Sequence, residues 1–336
     1  MAAKLNELCL QKTFKFASEY QHDLFNCALV NRHWCMNAIP ILWRIPFPFS
    51  LHGGPAFIST LIKYLTLNDE QRAPFLYYRL IKQIDVYLFA EAIQDYLLSL
   101  PNTIQQDSLN IVTLCTLKVL CHKLINTENI IFELDYRYRY FDNAQILPFG
   151  DWNIYQIPNA HVSLRNLRKL SISGVESSRK ILESAAKISR NLSNLEITCY
   201  CFTEYEELCW LIHYIKLFDN LKCLNMDVSI THGDKLLSEL GKNLPKTLET
   251  LCLAGSFEFS KESLEQFLLG ANQVKFQLLG FPKSQFISDE HLETIWNAIY
   301  DSSLDISIKE LDISVGKLVT RNQAKKFQDR GIKHLS

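Results

Sequence analysis

The chain has 336 residues, with 35 Lys and Arg set against 36 Asp and Glu, a formal net charge of −1, 48% hydrophobic residues and 21% charged ones. That balance belongs to an ordinary folded protein, and the length suits one large domain or a small module joined to a larger one. It excludes the whole-chain basic footprint of a nucleic-acid binder, and no apolar run reaches the roughly 18 residues of a membrane span. The opening MAAKLNELCLQKTF has no continuous apolar core or cleavage site, so it does not read as a signal peptide. Ten cysteines include no C-x-x-C pair, which fits a reducing compartment, cytoplasm or nucleus.

Residues 23–46, DLFNCALVNRHWCMNAIPILWRIP, are strongly apolar. A stretch this short cannot build a core alone; it must cap something larger or be covered in part by another protein. Asp23 is placed to cap a helix, Leu24, Cys27 and Val30 recur at helical spacing, and Trp34 is the kind of aromatic that anchors a small interface. Residues 49–80 read as a helical connector. Gly53-Gly54 within them is a loop, because no phosphate-cradling pattern comes after it.

From residue 81 the chain repeats an L-x-x-L-x-L frame: Ile81/Ile84/Val86, Leu167/Leu170/Ile172, Leu192/Leu195/Ile197, Leu221/Leu224/Met226, Leu248/Leu251/Leu253 and Ile308/Leu311/Ile313. Looser segments at 130–136 and 274–279 fill the gaps. Alternation along short strands buries the frame residues and exposes those between them. Helices are expected in between: at 180–190, after the capping box Thr203-Glu-Tyr-Glu206, around Leu264/Phe267/Leu268, at 289–300, and at 323–333. Strand–turn–helix units at this period are those of leucine-rich repeats. The expected fold is therefore α/β: an N-terminal helical module (1–48), a connector (49–80), and an irregular horseshoe over 81–336, a parallel sheet backed by helices.

Strand positions between the buried residues would line the concave face: Asp85, Glu133, Asp135, Lys169, Ser171, Glu196, Asn225, Asp227, Cys252, Lys275, Glu310 and Asp312. Acids outnumber bases there, so a face favouring a Lys- or Arg-rich partner is one reading; ordinary solvation of exposed strands is the other. Chemistry is poorly served. The pair Cys199-x-Cys201 reads as packing rather than metal ligation, and the Arg–aromatic run at 135–141 as an exposed strand and turn rather than a nucleic-acid platform. No nucleophile, base and orienter come together, so the chain does not read as an enzyme, and no cofactor or metal is expected.

Taken together, residues 5–46 resemble an F-box. Leu5, Leu8, Leu10 and Phe14 stand for its leucine-rich first helix, Asp23-Leu24 for the start of its second, and Leu29-Val30-Asn31-Arg32-x-Trp34 with Pro40-x-Leu42-Trp43 for its most specific run. The segment IPNAHVSLRNLRKLSISG is similar to the repeats of divergent fungal-type F-box families. The resemblance implies a three-helix module that binds the adaptor of an SCF-type cullin-RING ubiquitin ligase through Leu5, Leu8, Leu10, Phe14, Leu24, Leu29, Val30 and Trp34. The repeats would then hold a protein substrate. The alternative is a non-ligase repeat scaffold or inhibitor whose N-terminal helices are only a cap.

Overall fold

Apolar residues four apart fold the N-terminal region into three short helices, α1 (Glu7–Ala17), α2 (Gln21–Val30) and α3 (Arg32–Leu42). In this computed structural model the described residues are 7–17, 21–44, 54–66, 80–100, 116, 129–132, 167–173, 182–183, 185–187, 189–202, 205–230, 232–255, 258–282, 287–300, 306–313, 327 and 332–335. Two compact units emerge: Met1–Ile131 with Ile157–Asn166, and Phe132–Gln156 with Leu167–Ser336. The helical module, the connector and the first repeat strand thus fall in one unit.

In the first unit Leu10 and Phe14 of α1, Leu24 and Ala28 of α2 and Ala38 of α3 form a small core. The Phe14 ring meets Trp34 edge-on, with centroids 5.3 Å apart. Asn31 sits in extended conformation and caps α3, its side chain accepting the Trp34 N–H at 2.9 Å. Buried Asn37 donates to the His33 carbonyl and accepts from Gln11 of α1, so its amide is not stranded in the core.

Rings and backbone fasten the module to the connector and the first strand. Trp43 packs on Phe57 of α4 (Gly54–Thr66) at 4.8 Å, and Phe57 meets Phe89 of α5 (Val86–Leu98) at 5.8 Å. The Arg44 carbonyl accepts both the Lys82 and the Gln83 N–H, at 2.9 and 3.2 Å, as the chain enters β1 (Gln83–Asp85). Strand β1 pairs in parallel with β2 (Asn129–Phe132).

The second unit carries β3 (Lys169–Ser173), β4 (Asn194–Phe202), β5 (Cys223–Ile230), β6 (Thr250–Ala254), β7 (Lys275–Phe281), β8 (Ser307–Ile313) and β9 (Lys333–Leu335). Each pairs in parallel with the next in sequence order. Between them run α6 (Tyr205–Ile215), α7 (Gly233–Asn243), α8 (Lys261–Gly270) and α9 (Asp289–Tyr300). The frame residues of β3, β4, β5, β6 and β8 are all buried, as alternation requires. Helices back that buried side: Phe267 of α8 stacks on Phe276 of β7 with centroids 6.4 Å apart.

One hydrogen-bond device joins successive repeats. The carbonyls of Arg168, Ser193, Lys222 and Glu249 each accept two consecutive N–H groups from the next repeat, Ser193/Asn194, Lys222/Cys223, Glu249/Thr250 and Gln277/Leu278, at 2.7–3.1 Å. Arg44 does the same for Lys82 and Gln83. The last turn of the helical module therefore occupies the place a preceding repeat would take, which satisfies backbone donors at the head of the array.

The structure corrects two readings. The seventh strand carries the frame Phe276/Leu279/Phe281, two residues later than the 274–279 segment suggests, because Leu251 lies opposite Leu279. Lys275 is consequently ahead of the frame and exposed, and the open-face positions of β7 are Leu278 and Gly280. In β2, Ile130 lies opposite buried Ile84, so Ile131 holds the position opposite Asp85. Glu133, Asp135, the Arg–aromatic run and most of the expected helix at 323–333 lie outside the described residues, although Phe327 is helical and buried.

Candidate functional site

Two surfaces have the make-up of a partner site. The first belongs to the helical module. Of the residues expected to meet an adaptor, Leu10, Phe14 and Leu24 are buried inside the module and hold it together, and Trp34 is half-buried against Phe14. Leu5 lies outside the described residues. Leu8, Leu29 and Val30 are exposed, and so are Phe16, Phe25 and Met36, which sequence reasoning did not single out. These six side chains are 40% to 81% exposed.

A helical wheel explains the division. Leu24 and Ala28, four apart, share the inward stripe of α2. Phe25 and Leu29 each lie one residue on, about 100° around the helix, and so form a second apolar stripe facing outward. Packing within the module uses one such stripe, and the second is left exposed. The same count on α1 sets Leu8 and Phe16 away from Leu10 and Phe14. Lys12 and Lys15 are exposed on α1, and Asp23 stands in the first turn of α2. Burial, with the Asp23 charge adding to it, raises the Cys27 thiol, so that group stays neutral and packs as a small hydrophobe.

The second surface is the open face of the second unit's sheet. Parallel register sets its side chains in rows. One row runs Ser171, Glu196, Asn225, Cys252, Gly280 and Asp312; the row before it runs Lys169, Asn194, Cys223, Thr250, Leu278 and Glu310. Asp227 lies beyond them, opposite Thr198 and Ala254. Glu196, Asn225, Asp227, Glu310 and Asp312 are thus brought onto one face.

Charge on this face is less one-sided than the residue types alone suggest. Lys169 pairs with Glu196 at 2.9 Å, both half-exposed, and this leaves little net charge at that edge. In the first unit Asp85 accepts the Leu88 N–H at 3.0 Å and so caps α5. The centre is made of small neutral groups: Cys223, Asn225, Thr250, Cys252 and Gly280. Burial pushes the Cys252 thiol up to about 11, with Cys223 and Asp312 adding to it. Cys223 is raised by burial and by Glu196, against Lys169. Both thiols are therefore poor nucleophiles near neutral pH.

Among the described residues, no three His, Cys, Asp or Glu side chains gather as a metal site, and no helix is long and apolar enough to cross a membrane. Cys199 lies opposite Val228 in the sheet register.

No family model and no curated protein matches the sequence. Among solved structures, the chain is similar to one in the crystal structure of the Rad7 and Elc1 complex in yeast. The identity is 16% and the TM-score 0.39, over 95% of this chain and 83% of that one. A likeness this distant carries neither function nor partner across.

Proposed function

We propose that this protein is a substrate-receptor subunit of an SCF-type cullin-RING ubiquitin ligase: its N-terminal helices form an F-box that docks the ligase adaptor, and its repeats hold the protein to be modified. One observation carries the reading. The module closes around its own core and still leaves six large apolar side chains exposed on its three short helices, Leu8, Phe16, Phe25, Leu29, Val30 and Met36. The receptor has no chemistry of its own; it works by holding a substrate near a ubiquitin-charged enzyme, where proximity replaces a bimolecular encounter. Cytoplasm or nucleus is where it would act.

The scaffold reading has one observation in its favour, because the module does cap the first repeat strand through Arg44. Capping needs only the inward stripes, however. Titration calorimetry of the full chain with a purified ligase adaptor separates the two readings. A micromolar or tighter complex, lost in Phe25→Ser/Leu29→Ser while the fold is retained, supports the receptor. A well-folded chain that shows no heat with the adaptor leaves the cap as the module's sole role.

A further inference from the structure

We draw no further inference here: the strongest candidate, the partly exposed stripe of Trp210, Tyr214 and Leu217 along α6 and the turn after it, is an apolar surface and nothing in the structure shows what covers it.

Discussion

Substituting Gly241 by Ala sets helix propensity against packing, and the structure decides the winner. In an isolated helix the change stabilises by up to about 1 kcal/mol, because Ala gives up less backbone entropy than Gly. Here the new methyl would lie 2.3 Å from the Phe267 carbonyl oxygen and 2.8 Å from its Cα. Contacts under 3.0 Å are not tolerated, and these are backbone atoms that cannot rotate aside, so α7 and α8 must part by at least 0.7 Å. Overpacking of this kind costs about 1–3 kcal/mol, and a displaced helix pair belongs at the upper end. The net expectation is a loss of about 2 kcal/mol. In urea at about 1–3 kcal/mol per molar, that moves the midpoint down by about 1 M, read by far-UV circular dichroism. Glu239→Ala is the control. It removes a half-exposed pair with Lys242 at 2.9 Å and should change stability by less than about 1 kcal/mol. A Gly241→Ala midpoint equal to or above wild type would refute the claim that these two repeats close through glycine.

Phe14→Ala removes a fully buried ring from a core of only five buried side chains, and should cost the module about 3–5 kcal/mol; local hydrogen exchange over 7–42 reads that loss. Asp234 is held below the usual carboxylate value of 3.8 chiefly by the Ser260 N–H, so its stabilisation is present above that pH and lost as pH falls through the lower folded value. Wild type should therefore lose thermal stability more steeply than Asp234→Asn between pH 5 and 2; parallel profiles would contradict this. Cys252, pushed up to about 11, should resist iodoacetamide at pH 8 in the native chain while exposed Cys9 and Cys209 react. Mass spectrometry of the alkylated residues checks it.

The repeats are legible in the sequence because strand alternation marks its own burial. Leu221, Leu224 and Met226 are inside for the same reason that Cys223 and Asn225 are not. The frame is misread where its signature is aromatic and interrupted by glycine, in Phe276-Gln-Leu-Leu-Gly-Phe281. The module is legible as apolar but not as to which side faces in. Inward and outward leucines are the same residue type, and only the wheel position of Phe25 against Leu24 separates the two sides. Asp85 shows a role that strand alternation does not reveal: it also caps the helix that follows it.

The outward stripes of α1 and α2 are, on this account, kept for a ligase adaptor. Hydrogen–deuterium exchange of the full chain with and without saturating adaptor tests that central claim most directly. The account predicts slowed exchange across Glu7–Ala17 and Gln21–Val30, with the strands of the second unit unchanged. Protection confined to the repeats, or none under conditions that saturate a known F-box protein, would contradict it.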